Sequence, residues 1–209
     1  MRKYSQFTLS HRKMIQLVGK NKKVLDVGCA TGQIDKRLTQ NDCEVVGIEK
    51  DRQAAKLARK YCKKVIVGDI EILTKLPFPK KYFDIIIFGD ILEHLRQPLD
   101  VIIKLKKYLK NAGYIVCSIP NVANWVIRLK LLFGRWEYKE MGLLDKTHLR
   151  FFTFKTAKSL IEKAGFVIEK IDMTTNLSRF FGKAGKIITK TNPPLFGYQF
   201  IIKASKYKI

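Results

Sequence analysis

Acidic side chains are scarce in this sequence. Its 18 aspartates and glutamates face 41 lysines and arginines, a formal net charge of +23 over 209 residues. That excess favours anionic partners: nucleic acid, a phospholipid surface or an anionic substrate. The lysines are nevertheless scattered along the chain and form no single block, which is also the pattern of a solvated lysine-rich surface. Cysteine is sparse as well. Cys29, Cys43, Cys62 and Cys117 make no C-x-x-C pair and no histidines stand at zinc spacing, which excludes a disulfide framework or a zinc module at the level of spacing. The four read as small buried residues of a reducing compartment. No window of 18 consecutive apolar residues occurs, so a membrane-spanning helix is excluded. The stretch Met1-Arg-Lys-Tyr-Ser-Gln-Phe7 lacks the apolar segment of a secretory signal. A cytoplasmic, soluble, basic protein is expected, one that at most rests on the inner face of a membrane.

What is present suits a packed α/β protein, with 46% hydrophobic residues in an ordinary range. Leu9, Met14, Ile15, Leu17 and Val18 predict a leading helix that ends near Gly19 and Asn21. Strand-like apolar runs follow at 24–27, 44–48, 64–67, 83–88 and 114–118, with helices over 33–40, 52–61 and 99–109 between them. Such alternation implies βαβ crossovers and a parallel, doubly wound sheet. The tail breaks the rhythm: helix 155–164 leads through Gly165 to a strand at 166–172, and a last strand lies at 198–204. With no helix expected between them, these two suit an antiparallel hairpin at the sheet edge. The expected fold is a seven-stranded, mostly parallel α/β sheet in a single domain over 1–209, with 121–150 as a helical, lid-like insertion.

The run Val24-Leu-Asp-Val-Gly-Cys-Ala-Thr-Gly32 carries the strongest signal. A buried strand enters a glycine turn from which a helix begins, and open α/β sheets bind ligands beyond the carboxyl ends of their strands. Glycine lets the backbone approach a ligand where a Cβ would collide. A dinucleotide fingerprint would need G-x-G-x-x-G, but the register here is Gly28-x-Ala30-x-Gly32-Gln33, and Asp26 stands inside the strand where such folds usually keep an apolar residue. Glu49 closes the second strand, about 20 residues after the turn, where a carboxylate can accept both ribose hydroxyls.

This run resembles motif I of the class I S-adenosylmethionine-dependent methyltransferases, whose fold is Rossmann-like. The resemblance implies S-adenosylmethionine as cofactor and contacts at Asp26, Gly28, Ala30, Gly32, Glu49, Lys50, Asp69, Ile70, Gly89, Asp90 and Leu92. In the family the acidic residue at the position of Asp26 orders the glycine loop and the methionine end of the cofactor. The residue at Asp69 bonds the adenine amino group while its neighbour packs on the ring, and the segment matching Gly89–His94 wraps the methionine portion. Asp90, Glu93 and His94 match magnesium-binding positions of some ubiquinone-pathway O-methyltransferases. Glu-His at this place is widespread in enzymes without a metal, and none is expected. Asn192-Pro-Pro-Leu195 is similar to the N-P-P motif of adenine-N6 methyltransferases, but it lies far from the fourth strand, where that motif works, and reads as a turn.

Ser118–Trp125 and Gly142–Phe152 resemble a subgroup close to the MetW-like proteins, whose relatives commonly accompany glycosyltransferases. His148 in the second stretch is the candidate base for a hydroxyl acceptor; a role pinning the lid to the sheet is the alternative. In the insertion Trp125, Leu129, Leu132, Phe133 and Trp136 share one helical face, with Ile127 and Leu131 roughly opposite. A helix apolar on two sides must bury both, which suggests a lipid-like substrate, a membrane interface or a partner subunit. The expected activity is O-methylation of a small-molecule, glycan or lipid-linked acceptor, with peripheral contact to an anionic membrane. An RNA methyltransferase is the alternative that the charge favours, although no basic stripe interleaved with aromatics argues for specific nucleic-acid binding. A MetW-like, non-catalytic partner that keeps the cofactor pocket is a third reading.

Overall fold

The computed structural model describes residues 7–207, without the side chains of 178–181 and 186. The stretch 1–6 read for a signal, and the last two residues of the expected domain, lie outside the described residues. Helix α1 (Leu9–Val18) opens with a reciprocal cap, in which the Thr8 hydroxyl accepts from His11 N and the His11 ring accepts from Thr8 N, each at 3.3 Å. Gly19, at φ +81°, ends it. There follow β1 (Lys23–Val27), α2 (Gln33–Thr39), β2 (Glu44–Glu49), α3 (Arg52–Ala58), β3 (Lys64–Val67) and β4 (Phe83–Gly89). A single 3-10 turn, Leu92–His94, leads to α4 (Pro98–Lys106) and β5 (Leu109–Pro120). The chain closes with α5 (Trp125–Leu132), α6 (Phe154–Lys163), β6 (Phe166–Thr174), α7 (Leu177–Thr191), α8 (Pro193–Phe196) and β7 (Gln199–Lys206).

The strands form one sheet in the order β3-β2-β1-β4-β5-β7-β6. All pairings are parallel except those of β7, which runs antiparallel to both β5 and β6. Alternate side chains of a strand point to opposite faces, so the unbroken apolar run of β4 serves two cores. Ile86 and Phe88 pack with Val101, Ile102, Leu105, Ala157 and Ile161 on the face of α4 and α6. Ile85 and Ile87 pack with Met14, Val18, Ile34, Leu38, Ala55 and Ala58 on the face of α1, α2 and α3. Each of these fully buried β4 side chains contributes roughly 1.5–3 kcal/mol by leaving water.

Three expectations are corrected. The C-terminal strands are not joined by a bare turn: α7, broken at Gly182, and α8 lie between them. Asn192-Pro-Pro-Leu195 is a helical turn, with the Asn192 side chain accepting from Leu195 N at 3.3 Å and two prolines whose φ suits a first turn. The insertion's helix is shorter than its apolar pattern, because Gly134, at φ +66°, terminates it. Trp136 therefore falls in the following loop, against Phe151, and belongs to a small core with Ile127, Leu143 and Leu144. Ile127 and Leu131 do not share a fate: Ile127 is buried while Leu131 is half exposed.

Candidate functional site

The C-terminal ends of β1, β2, β3 and β4 converge on one edge of the sheet, and the sequence places a loop there after each. After β1 the backbone turns left-handed at Gly28, Ala30 and Gly32, with φ of +77°, +47° and +79°. Gly28 N and Cys29 N donate to Ile48 O at 2.8 and 3.1 Å, so the loop curls over the end of β2. The two glycines serve different ends. A Cβ on Gly28 would stand 2.8 Å from Ile91 Cδ1, whereas one on Gly32 would stand 3.0 Å from the Ala58 backbone. Gly28 thus admits the loop after β4, and Gly32 lets α2 start against the end of α3. Ile91 is a residue that sequence reasoning missed.

Glu49 ties this loop to the second strand end. Its Oε2 accepts from Ala30 N at 2.9 Å and its Oε1 from Asp51 N at 2.8 Å. A carboxylate offers about four acceptor positions, so each oxygen retains capacity for a further donor. Two adjacent ribose hydroxyls are donors of the right number and spacing, and on that test the residues fit S-adenosylmethionine. Lys50 beside it is exposed. Asp69 folds back on its own turn, its Oδ1 accepting from Glu71 N at 2.9 Å. Ile70 is largely buried in the main core. Asp26 is buried at the end of β1 with its carboxyl against that of Asp35, and burial first, then Asp35, holds it well above the usual carboxylate range.

The loop after β4 departs most from expectation. Asp90, left-handed at φ +52°, takes hydrogen bonds from Ser118 Oγ and Gln199 Nε2 and lies 3.3 Å from His11 Nε2. Its carboxylate therefore knits α1, β5 and β7 to the end of β4. Gly89 ends that strand with Ile34 packed closely over it. Leu92 is fully buried in the core, which leaves its side chain no surface for a ligand. Glu93 is buried too, its Oε2 without a hydrogen-bond partner among the described residues. Burial first, and Asp90 second, push it well above the ordinary range.

His148 is brought to this same strand end. Leu149 N and Arg150 N donate to Glu93 O at 2.8 and 3.0 Å, so the segment after the insertion is sewn to the 3-10 turn. The rings of His94 and His148 meet edge to face with centroids 4.9 Å apart. His94 Nδ1 lies 3.1 Å from Thr147 O, and His148 Nδ1 lies 3.3 Å from Leu143 O. Carbonyls only accept, which assigns a proton to each Nδ1 and, in a neutral His148 ring, leaves Nε2 as the lone-pair site. Burial first, then His94, lowers the pKa of His148, against a smaller opposing pull from Asp145. His148 is thus a neutral imidazole at neutral pH. Donor atoms of Glu93, His94 and His148 lie within 4.8 Å of one another and could hold a metal ion.

A family model described as a methyltransferase domain matches residues 7–171. An uncharacterized methyltransferase of Schizosaccharomyces pombe is 30% identical over 117 residues, 50% of this chain and 42% of that one. The ubiquinone biosynthesis O-methyltransferase of Idiomarina loihiensis is 30% identical over 112 residues, 51% of this chain and 46% of that one. The chain thus spans under half the length of these two relatives. The crystal structure of an S-adenosylmethionine-dependent methyltransferase from Archaeoglobus fulgidus superposes with a TM-score of 0.69 at 22% identity, over 95% of this chain and 93% of that one, a likeness of fold. A family match that runs from α1 into β6, on a sheet of this strand order, decides the membership: the chain belongs to the class I S-adenosylmethionine-dependent methyltransferases.

Proposed function

We propose that the chain methylates a hydroxyl oxygen of an amphiphilic, lipid-linked or glycan-bearing acceptor, with His148 as general base. The observation that carries this reading is the placement of the His148 ring, edge to face with His94 and held through Nδ1 by the Leu143 carbonyl, at the strand end shared with the cofactor loop, where burial lowers its pKa. When bound, S-adenosylmethionine supplies an electrophilic methyl on a sulfonium that is already a good leaving group. The protein's own work is then alignment and proton removal. The Thr147 carbonyl fixes the His94 ring against which His148 packs, the Leu143 carbonyl fixes the His148 tautomer, and His148 Nε2 accepts the hydroxyl proton as the oxygen attacks. Glu49 and the glycine loop hold the nucleoside end, and Asp90 keeps α1 closed against β4.

The amphiphilic acceptor is suggested by α5 and its end. Leu132 and Phe133 are 78% and 70% exposed, with Leu129 and Leu131 about half exposed beside them. Arg128, Lys130 and Arg135 lie among these residues in the sequence, with Lys130 paired to Glu137 at 3.6 Å. Apolar side chains ringed by cations suit an anionic bilayer surface from which a lipid-linked acceptor could be drawn.

The test is transfer of labelled methyl from the cofactor to an acceptor panel: small phenols, glycolipids in vesicles, and RNA. Label is expected in a hydroxyl-bearing amphiphile, with kcat reduced by about 10²–10⁴ in His148→Gln. Stoichiometric label at one RNA position would instead establish the nucleic-acid reading. Cofactor binding without transfer to any acceptor would support the non-catalytic partner reading.

A further inference from the structure

A second cluster lies under the glycine loop, and methyl transfer makes no use of it. Cys29 follows Gly28 in the loop, Asp35 sits in the first turn of α2, and Cys62 lies just past α3. All three are buried, Asp35 completely. One ligand atom from each lies within 4.8 Å of the others, and Cys62 Sγ is 3.2 Å from Asp35 Oδ2. The second oxygen, Asp35 Oδ1, is buried without a hydrogen-bond partner among the described residues. Both sulfurs converge on the one position of β2 that has no side chain: a Cβ on Gly47 would stand 2.5 Å from Cys29 Sγ and 3.3 Å from Cys62 Sγ.

We infer that Cys29, Cys62 and Asp35 form a structural binding site for a thiophilic divalent cation, with zinc as the occupant. Two sulfur donors select zinc over magnesium or calcium, which prefer all-oxygen shells. Zinc–sulfur and zinc–oxygen bonds of about 2.3 and 2.0–2.2 Å place tetrahedral donors roughly 3.5 Å apart, close to the spacing of Cys62 Sγ and Asp35 Oδ2. Three protein ligands leave one tetrahedral position to a water, and the burial of all three keeps that position away from bulk solvent, as a structural role requires. Such an ion would give the Asp35 carboxylate a partner beyond the Asp26 carboxyl that lies against it and would lock the glycine loop, α2 and the end of α3 to one another. The ligands stand at C-x5-D-x26-C, a spacing that matches no zinc module, which is why the cysteines looked unremarkable in the sequence.

The test uses the whole chain, unfolded and refolded under reducing conditions with cadmium as the probe, because a site this enclosed loads as the protein folds. One cadmium per chain is expected, with a sulfur-to-cadmium charge-transfer absorption. Cys62→Ser should abolish that absorption, and Asp35→Asn should weaken binding at least about 10-fold. Cys43→Ser and Cys117→Ser should leave both unchanged. Absence of the band in the unsubstituted chain, or its survival in Cys62→Ser, overturns the inference. Should Cys62→Ser fail to refold, alkylation of the unsubstituted chain during unfolding decides. Zinc-dependent protection confined to Cys29 and Cys62 supports the site, and equal labelling with and without zinc overturns it.

Discussion

Ala30 is the residue at which the cofactor loop is least at ease. An L-residue in the left-handed region costs roughly 1–2 kcal/mol, and Ala30 sits there at φ +47° between two glycines that adopt the same hand freely. Ala30→Gly removes that cost and adds about 0.5–1 kcal/mol of backbone entropy to be lost on folding. The expected net gain is about 0.5 kcal/mol, read as a rise in the urea midpoint at unchanged slope, and the Ala30 N–H contact to Glu49 should survive. In the proposed reaction His148 carries the pH dependence. Its pKa is lowered from the ordinary 6.5 by burial and His94, so the ring is neutral at pH 7 and takes its proton only below that value. A depressed histidine pKa also contributes stability that is present above pH 6.5 and lost as pH falls through the folded value. The profile of kcat/KM should therefore stay level from neutral pH to below 6.5 and then fall, and His148→Gln should lose that acid limb along with most of its rate. A limb centred above 6.5 would contradict the assignment. The positions of Asp26, Glu49 and Asp69 in the fold were legible in the sequence because the first lies within a recognisable strand, the second closes one and the third follows one. The pairing of His148 with His94 was not, since it depends on where a 30-residue excursion comes down, and neither was the sulfur cluster, whose members meet only across α2 and α3.

The elements were legible where a period of two or of 3.6 held through a whole segment, as in β4 or α6, and the mostly parallel sheet followed from their alternation. They were misread where a local backbone feature interrupts the pattern. In α5 the apolar face continues past Gly134 in the sequence while the helix stops there, so Trp136 was credited to a helix it never joins. In the tail, α7 and α8 were missed because Gly182 breaks one and two prolines open the other, and both signals read as loop. Gly32 shows another case, a residue with a packing role that the sequence did not reveal. Its hydrogen faces the Ala58 backbone and the Tyr61 ring, so it sets how closely α2 packs on α3. Gly32→Ala combines a left-handed alanine with a contact 3.0 Å from that backbone, and backbone cannot swing aside. A loss of about 1–2 kcal/mol or more is expected, measured by chemical denaturation, together with weaker S-adenosylhomocysteine binding as the loop shifts. Unchanged stability would mean that α2 tilts away at no cost.

At the scale of the whole molecule, two features act together: a net charge of +23 and an apolar surface at the end of α5. No helix among the described residues is long and apolar enough to cross a membrane. Charge alone would bind any polyanion and let go as salt rises; apolar side chains alone would not discriminate between lipid headgroups. Their combination makes a specific forecast. The protein should co-sediment with anionic vesicles at low salt and leave neutral ones in solution, since each basic residue near an anionic surface contributes about 1 kcal/mol. Leu132→Glu with Phe133→Glu should weaken this attachment at every salt concentration. Stability should change little, because both side chains are already mostly in water in the folded chain. Cofactor binding is the internal control. S-adenosylhomocysteine should raise the melting temperature of the parent and of the double variant alike, as a ligand of the folded state must, whereas Glu49→Ala should lose most of that rise and keep its vesicle binding. Equal attachment to neutral and anionic vesicles, or attachment indifferent to the double substitution, would remove α5 as the docking element and leave the charge as a property of the surface at large.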